Sequence, residues 1–383
     1  MGSHMRIVIC GGGAIGAAIA YFTSRRGARP IVIERHEVAG AASGKSGGFL
    51  ALDWSRGSSL DRLARRSFEL HAELSSELGD PWGYRRLTTY SGYVADADTA
   101  RGPGGRPWLA GGVAITGRLG SPESTALVEP QAFTSGLVHA AEMHGAVLRH
   151  GTVVDLVRGP NGAVRGAALA SGEVVEGDAV VIAMGPWSIL AARWLPLPAV
   201  LAYKGHSVVF ETGGTIPAEA LFLEYREPSG EMLTPEVFPR ADGTTWVCAI
   251  STFAPLPVDP ADVAADEGAH ARLEALCRDI SPALAAAPIR ARQACFRPVT
   301  EDGLPLIGAV PGIESVYVAT DHSVWGMLNA PATGEAMSEL LLDGAARHVD
   351  LAPFAPGRLP PLDPERLRGP SADQSANRAS SDV

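Results

Sequence analysis

Residues 6–35 read RIVICGGGAIGAAIAYFTSRRGARPIVIER. Arg6–Cys10 is a short apolar run that stops at glycine, as a buried parallel strand does. From Ala14 to Arg25 the apolar residues recur at helical spacing, and Gly27 closes the helix. Ile31–Ile33 then form a second buried strand that ends at Glu34. Strand, glycine turn, helix and strand make a βαβ unit. Gly11, Gly13 and Gly16 form GxGxxG at the mouth of the helix. The first glycine permits the tight turn, the second lets a pyrophosphate approach the backbone, and the third lets helix and strand pack closely. Phosphates would lie on the helix N-terminus at Ala14 and Ile15, where unpaired N–H groups and the dipole favour negative charge. Glu34, followed by Arg35, is placed to accept the ribose hydroxyls of an adenosine, and an acid there disfavours a 2′-phosphate. The unit therefore reads as dinucleotide binding, with NADP disfavoured and both FAD and NAD open.

The composition narrows the rest. A chain of 383 residues can bury one large core or two smaller ones, and two intimately joined domains are expected. Gly2, Ser3, His4 and Met5 read as the scar of a cleaved tag, so the native chain is expected to begin near Arg6. Lys plus Arg number 32 against 42 Asp plus Glu; the net charge of -10 would repel a phosphate backbone, which argues against nucleic acid as a partner. There is no run of 18 uncharged apolar residues, hence no membrane span is expected. Cys10, Cys248, Cys277 and Cys295 are scattered without metal-ligand spacing, which fits a reducing cytoplasm and no bound metal. Only Lys45 and Lys204 are lysines among the 32 basic residues, and both stand beside glycine or in a glycine-rich segment.

Along the chain, helices are expected at about 59–78, 129–144, 262–280 and 331–342. Strands are expected at 88–95, 147–157, 164–170, 173–182, 207–210, 245–251 and 317–319. Arg101–Gly112 is a Gly/Pro loop, and 353–383 is rich in Pro, Ser and Arg without periodicity, the composition of a disordered tail. The expected fold is α/β: a Rossmann-type layer from 6–80, 140–200 and 296–345, with an antiparallel-sheet substrate domain inserted from 81–139 and 201–295.

Four later segments favour FAD. They are AASGKSGGF at 41–49, GDAVVIAMGPWS at 177–188, FRPVTEDGLPLIG at 296–308 and YVATDHSVWGMLNAPATGEAMSELLLDG at 317–344. In this order they resemble the FAD-dependent D-amino-acid oxidase superfamily, which includes glycine oxidase, sarcosine oxidase and D-amino-acid dehydrogenase, over roughly residues 6–345. SGKSGGFLALDW and WGMLNAPATGEA are similar above all to the FAD-dependent oxidoreductases of fungi and plants within it. The resemblance implies that Ser43, Gly44, Lys45, Ser46, Gly47 and Gly48 run along the isoalloxazine. It places Val153, Val154, Ala183, Gly185 and Trp187 against the cofactor, and Gly308, Gly326, Met327 and Leu328 over the pyrimidine end. The helix after Pro331 would aim its positive end at flavin N1 and O2. Asp321 stands where these proteins usually carry glycine.

The resemblance also implies that Arg297, in RPxTxDGxPxIG, holds a substrate carboxylate with two parallel hydrogen bonds. Lys204 in YKGH and Lys45 are further candidates for catalysis, the lysines as activators of oxygen. Trp54, Tyr225 and His322 are weighed as pocket residues, with core packing the competing role. Cys295 falls where sarcosine-oxidase-like enzymes attach the flavin covalently, a link not favoured here because buried cysteines usually serve as small hydrophobes. The expected activity is oxidation of the C–N bond of a small amino acid, N-alkyl amino acid or related amine, with oxygen or another acceptor taking the electrons. Oxidation of a 2-hydroxy acid and a flavin-binding scaffold without turnover are the alternatives. The side chain and chirality of the substrate, the electron acceptor and the oligomeric state stay open at this point.

Overall fold

A computed structural model describes residues 4–95, 106–160 and 162–367. Gly2 and Ser3, the first part of the Arg101–Gly112 loop, and the segment from 368 onward lie outside the described residues. The opening βαβ unit forms as read: β1 (Arg6–Cys10), α1 (Ala14–Arg25) and β2 (Arg29–Glu34). β1 and β2 sit inside a six-stranded sheet, between Ala179–Ile182 on one side and Val147–His150 on the other. Every neighbouring pair is parallel except the outermost, where Leu306–Ala309 runs antiparallel to Val316–Thr320. On one face, α1 packs against the helices Pro130–Met143 and Gly326–Asp343 in a continuous apolar core. A three-stranded meander, Val153–Arg158, Val164–Leu169 and Val174–Glu176, covers the other.

The second sheet orders its strands Ile289–Val299, Leu201–Glu211, Thr244–Phe253, Glu236–Pro239, Glu219–Arg226, Thr88–Val94 and Val113–Gly120. The expectation of an antiparallel sheet needs correction, because Glu219–Arg226 and Thr88–Val94 pair in parallel. Two chain excursions separated by the meander meet there, and only a hairpin connection would have forced the antiparallel sense. Two domain boundaries also move. Helix Pro130–Met143 packs on α1, so it belongs to the Rossmann layer. Strand Ile289–Val299 runs through the expected boundary at 295/296, which puts Arg297 in the substrate sheet.

Residues 353–367 are no loose tail. Phe354 is buried, Leu362 N–H donates to the Leu197 carbonyl (2.8 Å), and Arg358 grips Asp302 with two hydrogen bonds of 2.7 and 3.0 Å. The Arg358 guanidinium holds the Asp302 carboxyl down at about 2, so this aspartate of the 296–308 motif is a structural anchor. Composition missed the segment because isolated apolar anchors such as Phe354 leave no period.

The last helix also departs from expectation. It begins at Gly326, so Pro331 stands inside it instead of in its first turn. A proline there has no N–H to donate to the carbonyl four residues back, Met327. Helix Asp61–Leu78 makes up the deficit. Buried His71 reaches the Met327 and Leu328 carbonyls through Nε2 (3.0 and 3.2 Å), and Ser67 Oγ accepts from Ala332 N–H (3.0 Å). Burial lowers the His71 pKa to about 4, so the ring is neutral and Nε2 carries the proton for this contact. His71→Leu, which keeps the volume and removes the donor, should cost about 1–3 kcal/mol in an unfolding measurement. Pro331→Ala in that background should return part of the loss, because the restored N–H serves the Met327 carbonyl.

Candidate active site

Two chambers meet at the C-terminal ends of the parallel strands, where ligands of doubly wound sheets bind. The larger, about 780 Å³, is lined by Gly11, Glu34, Arg35, Val153, Val154 and Trp187 among others. The smaller, about 240 Å³, lies between the two sheets and is lined by Ile15, Ser46, Gly47, Gly48, Trp54, Cys295, Arg297, Gly326 and Met327 among others. Gly13, Ser43, Lys45, Ala183 and Gly185 line both.

At this junction the GxGxxG turn is built by close approach. A Cβ on Gly16 would fall 2.0 Å from the Gly11 carbonyl, and one on Gly11 would fall 2.3 Å from the Ala183 carbonyl. α1 has no side-chain cap on Gly13, and its Ala14 N–H points at Ser43 Oγ (2.9 Å). Glu34 accepts from Gly12 N–H (2.7 Å) and His36 N–H (3.1 Å), which pins its carboxylate at the rim of the larger chamber with lone pairs to spare.

In the smaller chamber, Phe49, Trp54, Phe222, Phe238 and Trp246 make an aromatic wall. Phe238 stacks on Phe49 (5.1 Å between centroids) and on Trp246 (5.4 Å), while Trp54 meets Phe222 edge-on at 5.0 Å. The 41–49 loop is laid on this wall. Trp246 Nε1 donates to the Lys45 carbonyl (3.1 Å) and Arg240 Nη2 to the Ser46 carbonyl (2.7 Å). A Cβ on Gly47 would come within 2.4 Å of the Phe238 ring, so that glycine serves contact between loop and wall. Opposite, the N-terminus of Gly326–Asp343 opens into the chamber without a side-chain cap. Ser46 Oγ and both carboxyl oxygens of Asp321 are buried without a hydrogen-bond partner among the described residues.

The chamber contains opposite charges. Arg297 donates to Ser251 Oγ and has no carboxylate within 4.0 Å among the described residues. Glu236 accepts from the Cys248 thiol (3.6 Å), and burial raises its carboxyl pKa against the pull of Arg297. Burial pushes the Cys295 thiol up, with Arg297 and Lys45 opposing. His322 is driven down to about 3 by burial and pairs with Thr333 Oγ1 (3.0 Å), which makes it a neutral wall residue.

Several expected site residues lie elsewhere. Lys204 lines neither chamber; it forms an ion pair with Asp266 and donates to the Ala264 carbonyl (3.3 Å), a structural role in place of the catalytic one. Gly16, Gly44, Gly308 and Leu328 also line neither chamber, the missing Cβ of Gly44 making room for the Ala39 carbonyl. Tyr225 donates to Asp279 (2.7 Å) in the substrate-sheet core. Lys45, by contrast, reaches both chambers and has no carboxylate within 4.0 Å among the described residues. Sequence reasoning missed Glu236, Ser251 and the ring pair Phe222 and Phe238. Their local sequence carries no motif, and only the sheet register brings them to one face.

The two chambers suit a flavin dinucleotide: an acid at the adenosine end, the N-terminus of α1 at the junction, and an uncapped helix start with orphaned polar groups in the smaller chamber. Residues 6–340 match the family described as FAD dependent oxidoreductase, DAO. The chain belongs to this family. It is 30% identical to the "Putative oxidoreductase" of Schizosaccharomyces pombe, with 95% of this chain and 99% of that protein covered. It is 26% identical to a glycine oxidase of Pseudomonas aeruginosa over 92% of this chain and 99% of that one. The crystal structure of glycine oxidase from Geobacillus kaustophilus superposes with a TM-score of 0.76 at 26% identity, covering 92% and 98% of the two chains.

Glu34→Ala should weaken FAD by roughly tenfold to a hundredfold, since a hydrogen bond to a charged group contributes about 1.5 to 3 kcal/mol. Fluorescence titration of the flavin-stripped protein checks this, and unchanged affinity would remove Glu34 from the site.

Proposed function

We propose that this protein oxidises the C–N bond of a small amino acid or N-alkyl amino acid, giving an imine that hydrolyses to ammonia or an amine and a carbonyl compound. The observation that carries this reading is Arg297, a guanidinium in a small aromatic chamber whose hydrogen-bond partner is a serine hydroxyl. Such a group suits an incoming carboxylate, which it can hold through two parallel bonds. The glycine oxidases among the relatives support the amine over the alcohol reading.

We place FAD with its adenosine end at Glu34, Val153 and Trp187, its pyrophosphate at Gly13, Ala14 and Ser43, and its ring along Lys45–Gly48, facing Gly326 and Met327. When bound, FAD supplies the hydride acceptor. Arg297 anchors the substrate, Ser251 orients the guanidinium, and the ring wall excludes water, so the reacting C–H bond is held in one attitude. The cofactor carries the redox chemistry, and no protein base is obligatory for a neutral amine.

Lys45 is the cation available to stabilise charge developing on oxygen, because strand Thr244–Phe253 contains no lysine and Lys204 is engaged by Asp266. We place the protein in the cytoplasm, which four free cysteines support. No helix among the described residues is long and apolar enough to cross a membrane.

Anaerobic addition of amines, amino acids and hydroxy acids to the yellow protein tests the reading: amino acids should bleach the flavin and release ammonia or amine. Bleaching by hydroxy acids alone would replace the reading with alcohol oxidation, and no bleaching by any of them would leave a scaffold. Acid precipitation of the same sample should leave the flavin in the supernatant, because burial keeps the Cys295 thiol protonated while a covalent link needs the thiolate. A yellow pellet would establish the link.

A further inference from the structure

We propose that Glu236 and Arg297 are the two halves of a zwitterion site, Arg297 taking the carboxylate of an α-amino acid and Glu236 its ammonium group. The inference rests on the amino-acid reading above and narrows it to substrates that carry both charges.

The sheet places the two groups. Arg297 lies on Ile289–Val299 and Glu236 on Glu236–Pro239, three strands apart. The Arg297 side chain crosses the neighbouring strand at Gly205, where a Cβ would fall 2.8 Å from Nη2, and ends at Ser251 on the strand beyond. That strand is the immediate neighbour of Glu236, which pairs with Cys248 in register. Both side chains line the smaller chamber. They are more than 4.0 Å apart, since no ion pair joins them; burial raises the Glu236 carboxyl pKa, and Arg297 is the first of the groups that oppose that shift.

Neither group meets an opposite charge within 4.0 Å among the described residues, and the Arg297 guanidinium otherwise lies 5.6 Å from the centre of the Tyr203 ring. Arg297 has a hydroxyl and Glu236 a thiol at 3.6 Å, and one Glu236 oxygen has no hydrogen-bond partner among the described residues. Two opposite charges that line one chamber attract each other, and a direct pair would satisfy both at once. Here the sheet holds them facing one cavity with a gap between. An α-amino acid carries its two charges on groups bonded to one carbon and completes both pairs at once, and the ammonium passes a proton to Glu236 before the neutral amine is oxidised. A 2-hydroxy acid would leave Glu236 uncompensated, and a simple amine would leave Arg297 so.

The test uses the holoenzyme and ligands that cannot be oxidised, read by the shift in flavin absorbance during titration. 2-Aminoisobutyrate is a zwitterion without an α C–H bond, and pivalate is the same shape with a methyl group in place of the ammonium. The wild type is expected to bind 2-aminoisobutyrate at least tenfold more tightly than pivalate. Glu236→Gln should erase that preference and leave pivalate as tight as before or tighter. Arg297→Lys should weaken both ligands.

If Glu236→Gln leaves the preference intact, the zwitterion site is wrong while the amino-acid reading stands. If the wild type binds pivalate and shows no preference, or binds neither ligand, the amino-acid reading falls with it. Glu236→Asp keeps the charge one carbon further back and serves if the glutamine variant sheds its flavin. It should weaken 2-aminoisobutyrate several-fold and spare pivalate, and equal weakening of both would overturn the proposal.

Discussion

Arg297→Lys should lower kcat/KM for the best amino-acid substrate by about a hundredfold while the purified protein stays yellow. A guanidinium presents a planar fork that matches a carboxylate, and an ammonium offers a point charge that cannot fix its orientation. Losing one of two charge-assisted bonds costs about 1.5 to 3 kcal/mol, which is roughly tenfold to a hundredfold in rate. The remaining bond lets the substrate swing, so kcat should fall together with the rise in KM. Steady-state kinetics with flavin content measured alongside separates these effects from cofactor loss. The strand pairs along its length with Leu201–Glu211, Arg297 standing opposite Tyr203, and the side chain is tied to Ser251 one strand further on, so the substitution should leave the fold intact. Unchanged kinetics would mean that the carboxylate is held elsewhere or that the substrate has none.

Asp321→Asn should stabilise the flavin-stripped protein, and by more as the pH rises. Asp321 is buried with both carboxyl oxygens unpartnered, and burial raises its pKa well above the ordinary carboxylate value. The folded state therefore keeps a proton that the unfolded chain has lost. Where the folded state binds more protons, stability falls with rising pH, here from the unfolded pKa near 3.8 up to the folded one. One extra proton corresponds to a slope of about 1.4 kcal/mol per pH unit. The difference between variant and wild type should therefore grow as the pH is raised above the unfolded pKa. Thermal or urea unfolding at several pH values measures it, and a constant difference would show that Asp321 is ionised in the folded state. The backbone at 321 has φ +66, which explains the glycine of the superfamily, and asparagine tolerates that left-handed conformation as aspartate does.

The βαβ unit, its GxGxxG and Glu34 were legible in the sequence because each is local: apolar period, turn glycines and a terminal acid all fall within 30 residues of chain. The family motifs were legible for a related reason, since backbone close to a cofactor restricts residue type in short consecutive stretches such as 41–49. Arg297 was legible through its motif, but its setting was not. Whether it has a salt-bridge partner depends on strands distant in sequence, and so does the presence of Glu236 across the chamber. Lys204 and Lys45 show the same limit from the other side. Both stand in glycine-rich surroundings, yet Asp266, sixty-two positions away, claims the first, and the second lines both chambers. Pro331 read as a helix start because its missing N–H is harmless there, and only the buried side chains of His71 and Ser67 make it tolerable inside the helix. The sequence by itself thus determined the nucleotide-binding layer, through short-range pattern. The tertiary structure alone decided which charges in the chamber are left unpaired, because pairing depends on what the folded sheet brings within a few ångströms.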